Sequence, residues 1–146
     1  MPGRDLEERF SDALHGTARA WRQAVDRRLR SLGMSQASWM TVAVAAKAAQ
    51  PLSQTEIAER LGVEGATLVA MIDRLVKAGM VRRESSSSDR RVKRIVLTEA
   101  GQRLYEVVRT QAMAVRRELL GGIDTADLER VTELLETLRG RLDKTS

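Results

Sequence analysis

A mainly α-helical chain with one small β-hairpin is the fold this sequence predicts, and three observations carry that expectation. Apolar residues recur at three- and four-residue spacing along most of the chain, as in helices that bury one face. Aromatic residues make up only 3% while Leu, Ala, Val, Glu and Arg dominate, whereas β-rich folds lean on aromatic and β-branched side chains. One stretch, residues 81–97, breaks the helical period with two short β-prone segments around a serine-rich turn. With 146 residues, 42% of them hydrophobic, the chain can bury one sizeable core and is short for two independent domains, so one compact unit is expected.

The first helix runs from Asp5 to about Leu32, with Leu6, Phe10, Ala13, Leu14, Ala18, Trp21, Val25 and Leu29 on its apolar face. Gly33 breaks it. Ser35 is the N-cap of a second helix through Trp39, Val42, Val44 and Ala46, which Pro51 forbids from continuing; it is apolar on most sides and therefore central. Ser53-Gln54-Thr55-Glu56 is a capping box opening a short helix that ends near Leu61, and Gly62 makes the turn. The next helix, from about Gly65 to Ala78, buries Leu68, Met71 or Ile72, Leu75 and Val76 and stops at Gly79, a left-handed C-cap. Residues 81–84 and 93–97 then pair as a hairpin. Thr98 caps a helix to about Leu120, ended by Gly121-Gly122, and Asp124 caps a last helix carrying Leu128, Val131, Leu134, Leu135, Leu138 and Leu142.

Charge is concentrated in one place. Residues 82–94, RRESSSSDRRVKR, hold six basic and two acidic residues, +4 of the whole chain's formal +5. The sequence pI of about 10.4 favours nucleic acid over an anionic membrane as partner. The longest apolar run, residues 39–46, is far below the roughly 20 residues needed to cross a bilayer. The N-terminus lacks the apolar core of a secretory signal, so a cytoplasmic protein is expected. With no cysteine, disulfides, thiolate zinc sites and cysteine redox switches are excluded.

Residues 57–71 fit a helix-turn-helix. Ala58 is the small residue at the helix crossing, Gly62 supplies the turn, and Ile57, Leu61, Val63, Leu68 and Met71 fill the shared core. The same pattern also describes an ordinary helical hairpin. Opposite the core face, the second helix presents Ala66, Thr67, Ala70, Asp73, Arg74 and Lys77. Gly65, Ala66 and Thr67 permit close approach to a major groove, with helix amides for phosphate and the Thr67 methyl for a thymine methyl. Arg74 has the reach for guanine or for phosphate; Lys77 fits a phosphate contact or a solvated face. Asp73, unfavourable beside DNA, calls for a pair with Lys77 or with a hairpin arginine. At the hairpin tip, Arg90 and Arg91 can track phosphates or enter a narrow minor groove, while Ser85 to Ser88 offer hydroxyls or form a loose tip with no role.

At these residues the chain resembles a known family. Asp89-x-Arg91, then Leu97-Thr98 and Gly101, is similar to the DxRxxxxxLTxxG signature of the MarR family of winged helix-turn-helix transcription regulators, and LVKAGMVRR at 75–83 matches the segment before it. The Gly62-Val63-Glu64 turn, SDRRVKRIVLT at 88–98 and Trp39 resemble the SlyA branch. The similarity spans nearly the whole chain. It implies one domain over residues 1–146, with a winged helix-turn-helix DNA-binding core at 35–98 and dimerisation helices at 1–32 and 99–146. It implies an obligate homodimer on a pseudo-palindromic operator in double-stranded DNA, acting as repressor or activator. By that resemblance Arg91 makes the minor-groove contact and Asp89, beside Ser88 and Arg90, orders the wing. The chain departs from the pattern at Ala70, where SlyA-like members tend to carry arginine, so base readout there is not carried over.

The leucine stripe of the last helix and the Leu6, Phe10, Leu14 stripe of the first have no partner in a small winged domain; subunit pairing or packing within the chain would cover them. The resemblance also implies release by a small phenolic or aromatic acid, for which Trp21 and Trp39 supply an aromatic wall and His15 and Arg19 a cationic clamp. The same tryptophans also suit an ordinary core, and Arg19 a solvated face. No cofactor is expected, and one histidine is too few for a zinc switch built on several. No cysteine nucleophile, phosphate loop, second histidine or acidic cluster suggests an enzyme. The rival is non-enzymatic: a winged-helix module whose basic hairpin contacts RNA or protein.

Overall fold

Helix α1, Leu6–Arg30, carries the predicted amphipathic stripe, with Val25 and Leu29 buried, and the chain turns after it through Gly33 at φ +84°. The computed structural model describes residues 5–86 and 88–145; residues 1–4, Ser87 of the serine run and residue 146 lie outside the described residues. Helix α2, Gln36–Lys47, begins where Ser35 accepts a hydrogen bond from the Ser38 amide. It is central, as its apolar character requires: Val42 is fully buried, and the buried Thr41 hydroxyl donates to the Ala37 carbonyl, one turn back.

Strand β1, Leu52–Ser53, leads into α3, Gln54–Leu61. Both halves of the predicted capping box form: Ser53 accepts from the Glu56 amide, and the Glu56 carboxylate accepts from the Ser53 amide. At the C-terminus Gly62 has φ +66°, its amide bonds to the Glu59 carbonyl, and the Val63 amide bonds to the Ala58 carbonyl. That pairing satisfies two orphan carbonyls and sets the angle at which α4, Gly65–Lys77, departs. Helix α4 buries Leu68, Met71, Ile72 and Leu75.

Strands β2, Val81–Ser85, and β3, Lys93–Leu97, pair in register from Val81 opposite Leu97 to Ser85 opposite Lys93. Strand β1 adds to the other edge of β3, giving an antiparallel sheet in the order β1-β3-β2. The two-residue β1 was not anticipated, because a strand so short shows no alternation to read. Two valines expected in the core lie outside it: Val63 and Val76 are 39% and 37% exposed. Val76 stands about 100° round the helix from Leu75, beyond the buried stripe. Val63 follows the left-handed glycine, which turns it toward the surface.

The chain forms two compact units, residues 1–115 and 116–146, with α5, Glu99–Leu120, running from the first into the second. The first unit holds two cores. One gathers Val42, Ile57, Leu68, Ile72, Leu75, Val81, Ile95 and Leu97 from α2, α3, α4 and the sheet. The other joins Val25, Leu29 and Met34 to Val108 and Val115, with Trp21 and Trp39 packed against it. The second unit contains α6, Thr125–Asp143, capped as predicted by Asp124, which accepts from the Ala126 amide. Among its described residues α6 buries none, and Val131, Leu134 and Leu142 are open. No described helix is long and apolar enough to cross a membrane.

Hydrogen bonds from Ser53, assisted by the Arg94 guanidinium, hold the Glu56 carboxyl below its ordinary value of 4.5. A carboxyl lowered in the folded state stabilises the fold above that ordinary value and ceases to as pH falls through the folded one. Glu56→Gln retains the reach-back but not the charge. It should lower stability at pH 7 by about 0.5 kcal/mol, a small effect because the carboxylate is half-exposed, with the difference vanishing at an acid pH below the folded value. Urea unfolding at the two pH values measures this; an equal loss at both would contradict it.

Candidate nucleic-acid interface

The interface is built on α4 and the β2–β3 hairpin. Gly65 opens α4, and Ala66, Thr67, Ala70, Arg74 and Lys77 are all exposed on it. Glu64 at the N-cap makes no side-chain capping bond, so it does not occupy the first-turn amides. Asp73, on the same exposed surface, is paired through its carboxylate with Arg83 Nη2 at 2.5 Å, and Arg83 Nε also donates to Gln54 at 2.9 Å. Of the two partners considered for Asp73, the hairpin arginine is the one realised. The Arg83 guanidinium braces the hairpin against both α3 and α4.

The hairpin tip is organised by short polar side chains. Asp89 Oδ1 accepts from the Arg91 amide at 2.9 Å, and the Val92 amide bonds to the Asp89 carbonyl, closing a tight turn over Arg90. Ser86 is buried, its amide bonds to the Val92 carbonyl, and its hydroxyl accepts from the Ser88 amide and lies 3.0 Å from the Ser88 hydroxyl. Among the described residues, Ser86, Ser88, Asp89, Arg91 and Val92 are thus tied together by hydrogen bonds at the tip.

The six basic residues of the hairpin divide into two groups. Arg82 pairs with Glu84 at 2.8 Å, Arg83 with Asp73, and Lys93 donates to Ser85 at 2.8 Å. Arg94 donates to the Pro51 carbonyl at 3.0 Å and to Glu56 at 3.4 Å. Among the described residues, Arg91 at the tip, with a side chain 92% exposed, pairs only with Asp89 at 3.3 Å, and Arg90 has no ion-pair partner.

A separate cleft of about 360 Å³ lies in the first unit among α1, α2 and α5, with Trp21, Trp39 and Val25 on its walls and Arg22 and Lys47 also lining it. The Trp39 indole N–H donates to buried Asp26 at 3.2 Å, and Arg30 pairs with the other carboxylate oxygen. Hydrogen bonding from Arg30, then from Trp39, outweighs burial and lowers the Asp26 pKa. The ring of Trp39 is thus fixed between α1 and α2.

The MarR family model matches residues 44–93, which run from α2 through the hairpin tip. The transcriptional regulator PA3341 is 38% identical, over 92% of this chain and 98% of its own, with a TM-score of 0.85. The chain belongs to the MarR family. A MarR transcriptional regulator from Methanosarcina mazei Go1 shares the fold at 21% identity and TM-score 0.81, over 95% of this chain and 99% of its own. So does CouR from Rhodococcus jostii RHA1, bound to p-coumaroyl-CoA, at 24% identity and TM-score 0.77, over 93% and 95%.

This MarR chain brings together most of the residues singled out from sequence. Gly65, Ala66, Thr67, Ala70, Arg74 and Lys77 share one helix, and Ser88, Asp89, Arg90 and Arg91 share one turn. Trp21 and Trp39 meet in the cleft, but His15 and Arg19 do not line it. His15 stands one turn beyond Ala18, the outermost cleft residue of α1, and Arg19 is rotated about 100° from Ala18. The cations at the cleft are instead Arg22 and Lys47, which sequence reasoning missed. Arg22 was within reach of it, being adjacent to Trp21 and one turn from Val25.

Proposed function

We propose that this MarR-family chain is a homodimeric, sequence-specific DNA-binding regulator of the cytoplasm, a repressor or activator that a small aromatic anion releases from its operator. Its DNA-binding core is residues 35–98, with residues 1–32 and 99–146 serving dimerisation. Helix α4 enters the major groove with Gly65, Ala66, Thr67 and Ala70 foremost, Arg74 and Lys77 follow, and Arg90 and Arg91 reach the flanking minor groove or its phosphates. The observation that carries this reading is the division of charge in the hairpin: the strand cations are engaged within the protein, and the tip arginines point to solvent. The likeness of the wing sequence and of the Gly62-Val63-Glu64 turn to the SlyA branch supports reading the chain as SlyA-like.

Homodimerisation covers Leu6, Phe10 and Leu14, and likewise Val131, Leu134 and Leu142, all exposed in the single chain. Two-fold symmetry then sets the recognition helices about 34–36 Å apart. For the effector, two indole faces and two cations suit an aromatic ring bearing an anionic group, and the similarly folded CouR holds an aromatic acyl thioester. Titration of labelled promoter DNA at several salt concentrations, against a random duplex, tests the regulator reading. Tighter promoter binding with a steep salt slope is expected, and equal affinity for both duplexes would remove it. Sedimentation at micromolar concentration should give twice the chain mass of 16.2 kDa; a value at that single mass would refute the dimer.

A further inference from the structure

Val69, in the second turn of α4, is 40% exposed and belongs to neither core of the first unit. With Thr55, Ala58 and Val63 it lines an open surface groove between α3 and α4, on the flank of α4 that faces α3. Valine is a poor choice for an exposed helical position, because its branched Cβ restricts χ1 and its methyl groups gain nothing from water. Those methyl groups are open to a partner.

The chemistry around Val69 narrows what that partner is. Apart from the buried Leu68, residues 65–70 are Gly65, Ala66, Thr67, Val69 and Ala70, all exposed. Their side chains offer methyl groups and one hydroxyl, and none can form the paired hydrogen bonds by which guanidinium or amide side chains read guanine or adenine. Arg74, the first cation along the helix, stands about 6 Å beyond Ala70. Asp73, one turn on from Val69, is engaged by Arg83, which also takes the side-chain oxygen of Gln54. A base edge lying against Val69 therefore meets hydrocarbon. Hydrocarbon laid over the polar edge of a G·C pair strips its water and supplies no replacement bond, whereas thymine presents a 5-methyl group to the major groove.

We infer that Val69 is a specificity-determining residue of the DNA interface, reading the 5-methyl group of one thymine in each half-site by apolar contact, while the small side chains of Ala66 and Ala70 let the base edge approach. The inference rests on the reading of α4 as the helix that enters the major groove, and it names the base feature recognised there.

A duplex selected from a random library by the full-length wild-type chain is the probe. Its half-site thymines are replaced by uracil one symmetry-related pair at a time, which removes the 5-methyl group and changes nothing on the minor-groove edge. At one such pair uracil should weaken wild-type binding by about fourfold per methyl group, hence about fifteenfold for the two half-sites. Val69→Ala should bind the thymine and uracil duplexes within about threefold of each other. A merely structural role for Val69 would weaken binding to both duplexes alike and leave the uracil penalty in place. Selected half-sites without thymine, a wild-type chain indifferent to uracil at every position, or an undiminished uracil penalty in Val69→Ala would each overturn the inference and leave the DNA reading standing. A wild-type chain that selects no duplex would overturn the DNA reading and this inference with it.

Discussion

Arg91→Ala lowers operator affinity by at least about 30-fold and leaves the folded dimer intact. The wild-type side chain is 92% exposed and, among the described residues, pairs only with Asp89, so its loss opens no cavity and strands no buried charge. The turn survives, because Asp89 accepts from the Arg91 amide, which alanine retains. Losing a groove or phosphate arginine costs about 1–3 kcal/mol, and a dimer loses two, so the low end is about 2 kcal/mol, near 30-fold. The salt dependence should become shallower by about two phosphate equivalents. Arg82→Ala is the control: its guanidinium is already engaged by Glu84, and binding should change by less than about threefold. Fluorescence anisotropy at three salt concentrations measures all of this. An Arg91→Ala protein that binds like wild type would remove the tip from the interface.

Gly101→Ala destabilises the protein by about 3 kcal/mol, and thermal unfolding should occur roughly 10 °C earlier. A Cβ at this position would sit 2.0 Å from the Met80 carbonyl oxygen, 3.1 Å from its carbon and 3.3 Å from Leu97 Cδ2. The obstacle is backbone that cannot yield. The Met80 carbonyl accepts from the Thr98 amide at 3.0 Å, the Met80 amide bonds to Leu75 at 2.9 Å, and the Thr98 hydroxyl donates to the Gly79 carbonyl. The Thr98 hydroxyl also caps α5 by accepting from the Gly101 amide. This knot ties the end of α4 to the start of α5, so relieving the clash moves α4. Calorimetry of the variant decides the matter; a melting temperature within about 2 °C of wild type would show that the contact relaxes freely.

The same knot explains part of what could be read from sequence. Thr98 and Gly101 belong to the matched motif, and the structure supplies the steric reason for each: a cap and a backbone approach that excludes a side chain. Caps at Ser35, Ser53 and Asp124 were legible because a cap is a local event among neighbouring residues. The hairpin was legible because two β-prone segments flank a turn. Contacts between distant elements were not. Gln54 meets Arg83 across 29 positions and Arg94 meets Glu56 across 38, and no spacing rule announces either pair. In the cleft, periodicity identified the face of α1 but not the point where α2 crosses it, so the sequence pointed to Trp21 and Trp39, which both line the cleft, and not to Arg22 and Lys47, which line it too.

The internal pairing of Arg82, Arg83, Lys93 and Arg94 bears on how a regulator of this kind finds its site. Every cation left free on a wing grips any duplex equally, lengthening each stop on irrelevant sequence while adding nothing to discrimination. On the proposed function, pairing Arg82, Arg83 and Arg94 with Glu84, Asp73 and Glu56 of its own scaffold would shorten the wing's visits to random DNA and leave more of the choice of operator to the small side chains at the front of α4.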